Sequence, residues 1–185
     1  IEACNRITSG ILIGLAPMVT IQELGWTQIT YANWIAITGV TAAVLGVLCS
    51  PWIDRVGALR ILKWVVMFRI GLLGLTATLE PYWGIHQVFE SFLMINAVAT
   101  QLVTVTLIAL FMRLCSPRVA ASQFAVYMAL ANMTYSLGSG LMVPLSHWTH
   151  QAGIMLVCAA LIALMWLLIH WVDFERHDQD LNRLG

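Results

Sequence analysis

Four charged side chains interrupt long apolar stretches of the chain: Glu2, Arg6, Arg69 and Glu90. A charge in hydrocarbon is costly, so such a residue often marks the path of an ion, a proton or a solute. Glu2 and Arg6 are four residues apart, which puts them on one helix face in the favourable acid-before-base order. Two interpretations stay open for this pair. It either couples to a substrate carboxylate or a proton, or it is an ion pair that snorkels to a helix end.

Glu90 begins a polar stripe. Helical steps of three and four residues lead from it through Met94 and Ala97 to Gln101 and Thr104. Desolvation favours the neutral form of a carboxylic acid, so this acid suits reversible protonation. The alternative is a buried acid satisfied by neighbouring hydroxyls or by Arg69.

Two uncharged polar residues farther along, Tyr127 and Asn132, are able to hydrogen-bond a solute or to join neighbouring helices. Arg69 has apolar neighbours, which favours a structural partner or a snorkelling role. Close helix packing is predicted by Ala42 with Gly46, and the run 136–140 would allow close approach or a kink.

Composition defines the elements that position these residues. Of 185 residues, 60% are hydrophobic and 10% charged, with nine cationic and nine acidic side chains. Globular proteins carry about 25% charged residues, so a soluble domain would lack a charged surface here. The balance also excludes a disordered chain, a nucleic-acid binder and a secreted disulfide scaffold. The expected partner is the lipid bilayer, with no nucleic acid.

Six apolar segments are long enough to cross about 30 Å of hydrocarbon. They run over roughly 4–21, 31–53, 59–79, 82–112, 120–143 and 152–171, with a turn predicted over 144–151. We therefore expect an all-α integral membrane protein, a six-helix transmembrane bundle over 1–172 with a polar tail over 173–185.

The cations predict the orientation. One set of loops and the tail contain Arg55, Arg60, Lys63, Arg113, Arg118, Arg176 and Arg183, and the opposite loops contain no Lys or Arg. The positive-inside rule places these residues, and the C-terminus, in the cytoplasm. Trp26, Trp83 and Trp148 fall at the outer ends, where an aromatic belt is expected.

No enzyme motif is present: the sequence lacks His-Glu-x-x-His, Gly-x-Ser-x-Gly and a phosphate-binding Gly loop with Lys. His147 and His150 are three apart, which is a weak metal spacing. We expect no enzymatic activity, no metal and no cofactor.

The segment 54–60 carries a loop motif of Asp54, Arg55, Gly57 and Arg60. Gly57 permits a tight reversal, and Asp54 can pair with an arginine or face a helix N-terminus. This segment resembles the cytoplasmic loop motif of the major facilitator superfamily.

Three further segments resemble AmpG-type permeases: Phe89-Glu90-Ser91, Leu114-Cys115-Ser116 and Ala121-Ser122-Gln123-Phe124-Ala125. Gly25-Trp26 and Thr38-Gly39 extend the similarity over most of the chain. The group also includes siderophore-associated permeases.

The resemblance implies the carboxyl half of a twelve-helix transporter, built of two inverted three-helix repeats, whose other partner is the amino-terminal six-helix half. It implies a multi-pass protein of the bacterial inner membrane that takes up a peptide-, muropeptide- or siderophore-type solute together with protons. Spans one, two, four and five would line the cavity, with Arg6 and Glu90 facing it, and Arg69 would lie on a supporting helix. Two other hypotheses are a transport-inactive signal transducer of the same fold and a half-sized protein acting as a homodimer.

Overall fold

The computed structural model describes residues 1–114 and 120–171. Its six α-helices are α1 (Glu2–Pro17), α2 (Gln28–Val56), α3 (Ala58–Thr78), α4 (His86–Leu114), α5 (Ala120–Trp148) and α6 (Gln151–Trp171). A π-helical segment, Met18–Glu23, continues α1, and a 3₁₀ turn, Glu80–Tyr82, precedes α4. Arg118, Arg176, Arg183, Cys115 and the predicted tail lie outside the described residues.

Two predicted boundaries are wrong. The fourth helix begins at His86 rather than near Tyr82, because Glu80–Tyr82 forms a separate 3₁₀ turn. The turn expected from Pro144 onwards is still helix, since α5 continues to Trp148. Pro144 removes one backbone hydrogen bond of the helix. In an apolar setting the remaining backbone N–H and C=O groups can be paired only by helical hydrogen bonds, so the helix continues past the proline.

Local residues set the helix ends. The Thr27 hydroxyl accepts a hydrogen bond from the Thr30 amide at 3.1 Å and caps α2. Gly57 has φ +98° and alone separates α2 from α3, a conformation that residues with a Cβ rarely adopt.

Helix packing follows a symmetric pattern. The most extensive contacts join α1 to α5, α3 to α6 and α2 to α4, followed by α3 with α4 and α1 with α6. Exchanging α1 with α4, α2 with α5 and α3 with α6 converts α1–α5 into α2–α4 and α3–α4 into α1–α6, and it leaves α3–α6 unchanged. The core lies where α1, α3, α4 and α6 meet, around Leu15, Leu62, Phe89 and Ile162.

Backbones of α1 and α5 touch at Gly10 and Gly138. A Cβ on Gly10 would lie 2.7 Å from the Ser139 nitrogen, and one on Gly138 would lie 2.8 Å from Ile7 Cα. The close approach expected of the run 136–140 is therefore present. Ala42 and Gly46 are likewise buried, and Gly46 packs against Gln101 of α4.

By length and composition, four segments of the described chain are long and apolar enough to cross a membrane: Glu2–Glu23, Gln28–Val56, His86–Met112 and Gln151–Trp171. The other two helices are α3, which carries Arg60, Lys63 and Arg69, and α5, which is rich in polar residues.

The aromatic-belt prediction is wrong for Trp26 and Trp83, which are buried. Their indole N–H groups donate to His86 Nδ1 and to the Thr76 carbonyl oxygen, both at 2.9 Å. Trp148 is 88% exposed, as a belt residue would be.

Candidate functional site

A groove with several polar lining residues lies between α1, α2 and α4. Its cavity volume is about 370 Å³, and Tyr135 of α5 and Met155 of α6 complete its wall. Its polar lining residues are Arg6, Ser9, Tyr31, Thr38, Asn96, Thr100, Gln101, Thr104 and Tyr135. Among the described lining residues, Arg6 alone carries a formal charge. We call this concavity the central groove. Like a small-molecule site, it is lined by apolar side chains with a limited number of polar groups among them.

Arg6 reaches the central groove as half of an ion pair. Its Nε donates to Glu2 Oε1 at 2.6 Å, and the two side chains are 20% and 11% exposed. Because Nε is engaged with Glu2, the terminal nitrogens of Arg6 stay available to a ligand. The other carboxylate oxygen of Glu2 is buried without a hydrogen bond. The side chains of Asn5 and Tyr127 are close to it.

Arg69 anchors a buried polar cluster behind the groove wall. It is fully buried, so it does not snorkel. Its Nη1 donates to Asn5 Oδ1 at 2.6 Å and its Nη2 to Asn96 Oδ1 at 3.4 Å. Within the described residues it forms no ion pair with a carboxylate.

This cluster fixes the depth of the Glu2–Arg6 pair. Arg69 is eleven residues from the start and nine from the end of α3, which is about 16 Å and 14 Å at 1.5 Å per residue. Asn5 is therefore level with the middle of α3, and Arg6 follows it directly. The pair therefore lies near the middle of α3 and away from the ends of that helix.

Four groove hydroxyls donate to their own helices, and the first of them, on α2, is Thr38, which donates to the Ile35 carbonyl at 3.0 Å. Ser9 donates to the Asn5 carbonyl at 2.9 Å, Thr100 to the Asn96 carbonyl at 2.7 Å and Thr104 to the Thr100 carbonyl at 3.0 Å. Each hydroxyl has one proton, so these residues offer the groove only acceptor lone pairs.

The predicted polar stripe of α4 divides in the structure. Gln101, Thr104 and Ala97 line the central groove, whereas Met94 lies against Trp52 on another side of the helix. Glu90 is half-buried but is not among the groove residues. Within the described chain its carboxylate makes no hydrogen bond or ion pair, so neither hydroxyls nor Arg69 satisfy it.

The two candidates on α5 do not line the groove. Tyr127 stacks on Phe111 with ring centroids 4.0 Å apart and lies beside Glu2. Asn132 is exposed on an outward face of α5 that also exposes Ser136 and Ser139. Tyr127 thus belongs with the Glu2–Arg6 pair, and Asn132 stands apart from every other candidate.

The loop motif lies at the far end of α2 from Thr27. Gly57 makes the reversal, and Asp54, Arg55 and Arg60 are all exposed. Asp54 forms no ion pair within the described residues, and no side chain caps α3. The structure therefore shows neither of the two roles expected for Asp54.

The sequence interpretation missed Asn5, Asn96 and Tyr31. Asn5 and Asn96 are neutral amides, and their shared partner Arg69 is 64 and 27 residues away in the chain. No spacing rule connects such positions. The available signal was weaker: an amide in an apolar helix needs a hydrogen-bond partner.

Comparison with known proteins identifies the family. The family model for the Major Facilitator Superfamily matches residues 1–183. No curated protein and no solved structure matches the chain. The family match covers nearly the whole chain and agrees with the apolar helices and the polar groove among them. The protein is a multi-pass membrane protein that belongs to the major facilitator superfamily.

Proposed function

We propose that the protein is a secondary transporter that takes up a peptide-, muropeptide- or siderophore-type solute in the manner of AmpG-like permeases, with proton coupling. The observation that carries this proposal is the central groove, where Arg6 is the charged residue among neutral polar groups. A guanidinium in a polar groove, with its terminal nitrogens free while Nε is engaged with Glu2, favours a solute that presents an anionic oxygen. Peptides, muropeptides and many siderophores carry such groups.

Glu90 is the proposed proton carrier. It is a half-buried carboxylate in a span, and within the described residues it has no ion pair that would hold its charge. An acid without a fixed counterion can bind and release a proton as its surroundings alternate between dry and wet. Arg6 holds the solute in this scheme, with Gln101 as a further polar contact. Glu2 holds Arg6, and Tyr127 lies beside that pair.

The symmetric packing supports two inverted three-helix repeats. The exchange of α1–α3 with α4–α6 is the relation expected between such repeats when consecutive helices alternate in direction. The exposed polar face of α5 around Asn132 would be costly against lipid, which supports a second six-helix unit of the same protein facing it. We place the protein in the bacterial inner membrane with the motif loop 54–60 and the C-terminus in the cytoplasm.

Uptake into proteoliposomes tests the proposal. The full-length protein would be reconstituted and given a radiolabelled anhydromuropeptide, a tripeptide or a ferric hydroxamate, with and without an inward proton gradient. We expect gradient-dependent accumulation of at least one probe. Absence of uptake of all three would contradict the proposal and favour a signal transducer of the same fold.

Variants separate coupling from binding. Glu90→Gln should abolish accumulation driven by the proton gradient while retaining solute exchange across the membrane, since exchange needs no net proton movement. Arg6→Gln should lose both activities. Glu80→Gln is the matched control, because Glu80 is an exposed acid outside the α-helices and should behave as wild type. Unchanged accumulation in Glu90→Gln would refute the proton role.

A further inference from the structure

Arg69 has an unusual set of partners for a buried guanidinium. It is 0% exposed, and its described hydrogen bonds go to two neutral amides, Asn5 and Asn96. Its Nε is buried without a partner. A buried charge normally has a counterion, and a residue kept for packing alone would not require two amides from different helices. Because Asn96 also lines the central groove, the orientation of the two amides explains this arrangement.

The chemistry of the guanidinium fixes how both amides are oriented. Arginine only donates hydrogen bonds, so each asparagine must present its oxygen to Arg69 and turn its NH₂ group away. In Asn5 that nitrogen is buried without a partner. In Asn96, which lines the central groove, the nitrogen makes no hydrogen bond within the described residues and is not among the buried polar atoms. The Asn96 NH₂ group therefore opens onto the groove.

We infer that Arg69 is a positioning residue: by holding Oδ1 of Asn96 it directs the Asn96 NH₂ group into the central groove, where this group and the Arg6 guanidinium form a donor pair for an anionic oxygen such as a solute carboxylate. This inference rests on the proposed function for its substrate and names the chemical group that the site recognises.

The remaining groove chemistry agrees with an anionic oxygen at this pair. No acidic side chain is among the described lining residues. The hydroxyl protons of Ser9, Thr100 and Thr104 are already donated to backbone carbonyls. The donors left to the groove are the Arg6 guanidinium, the amides of Asn96 and Gln101 and the hydroxyls of Tyr31 and Tyr135, and Arg6 alone of these is charged. A carboxylate bound at Arg6 and Asn96 would receive charge-assisted hydrogen bonds from the terminal nitrogens of Arg6, while the Glu2 carboxylate stays on Nε and is not among the groove lining residues.

A thiol probe measures this preference without any transported solute. The full-length protein with its native cysteines changed to serine would carry Ala97→Cys, a groove position next to Asn96. The probes are an anionic sulfonatoethyl and a cationic trimethylammonioethyl methanethiosulfonate, and the readout is the ratio of their modification rates relative to a small free thiol. We expect the protein to favour the anionic reagent. Asn96→Leu should lower the ratio by about threefold to tenfold, as for the loss of one hydrogen bond.

Two further variants distinguish positioning from charge. Arg69→Lys keeps the positive charge but cannot hold two amide oxygens in one fixed fork, so the ratio should fall as in Asn96→Leu. Arg69→Gln removes the charge as well as the fork, so a positioning role predicts that its ratio falls to the same level as in Arg69→Lys. Elution as one monodisperse peak in size-exclusion chromatography would establish that each variant folds.

The opposite result would overturn the inference: if Arg69→Lys retains the preference while Arg69→Gln loses it, Arg69 acts through its charge alone. Equal reactivity of both reagents in the parent protein would overturn it as well. Uptake is a separate measurement, so failed transport with an intact reagent preference would count against the proposed function and not against the role of Arg69.

Discussion

Glu2, Arg6, Arg69 and Glu90 share one sequence signal, a charge in an apolar stretch, but the folded chain gives them three different environments. Glu2 and Arg6 neutralise each other at 2.6 Å beside the groove. Arg69 is buried on neutral amides, and Glu90 has no ion pair within the described chain. The pattern indicates that a charge is functional or costly. Only the positions of neighbouring helices decide which group compensates it.

The Glu2–Arg6 pair should behave as a coupled unit. Glu2→Gln and Arg6→Gln each leave one partly buried charge unpaired, so each should lower the midpoint of thermal unfolding in detergent. The double variant should lose less stability than the sum of the two, with a coupling energy of about 0.5–3 kcal/mol. Purely additive effects would mean that the pair contributes nothing beyond its separate side chains.

At the scale of helices, the contact of α1 with α5 depends on two glycines. Gly10 and Gly138 allow one backbone to lie directly on the other, and no side chain fits between them. Small residues drive helix association in membranes because lipid provides no hydrophobic force between helices. This contact brings Tyr127 next to Glu2 and Tyr135 into the groove wall. The site therefore depends on the glycine contact.

Gly138→Ala should separate α1 from α5. The added methyl would overlap the backbone of Ile7, and overpacking of this kind costs about 1–3 kcal/mol. Gly140→Ala is the matched control two residues away, where nothing lies within 4 Å of the new atom. We expect a lower unfolding midpoint and weaker uptake for Gly138→Ala, and an unchanged or slightly higher midpoint for Gly140→Ala. Equal behaviour of the two variants would argue against the close contact.

The helices could largely be predicted from the sequence, because hydrophobic length and charge-free stretches determine where a helix fits in a bilayer. The exact ends of individual helices could not be predicted in the same way. Pro144 looked like a turn residue but lies inside α5, since an apolar setting leaves the backbone no alternative to a helix. For the site, Arg6 lines the groove and Glu90, its expected companion there, does not, while Asn96 was missed because its orientation depends on Arg69 of another helix.

At the scale of the whole molecule, the exchange of α1–α3 with α4–α6 relates the helices that line the central groove to one another and to α5. Its walls α1 and α4 correspond under this exchange, and so do α2 and α5. The central groove is lined mainly by α1, α2 and α4, whereas α5 contributes only Tyr135 among the described lining residues. A transporter that alternates between two openings would use the groove on α2 in one state and its counterpart on α5 in the other.

The orientation of the protein across the membrane can be decided by one labelling experiment. The α2–α3 end carries Arg55, Arg60 and Lys63, and the α5–α6 end carries no Lys or Arg, so the positive-inside rule puts the first in the cytoplasm. In a background without native cysteines, His147→Cys should react with a membrane-impermeant maleimide added to intact spheroplasts. Arg60→Cys should react only after permeabilisation, although both positions are exposed on the protein. The reverse labelling would invert the orientation, and Glu90 would then lie near the cytoplasmic rather than the outer end of α4, so an inward proton gradient would reach it from the opposite side.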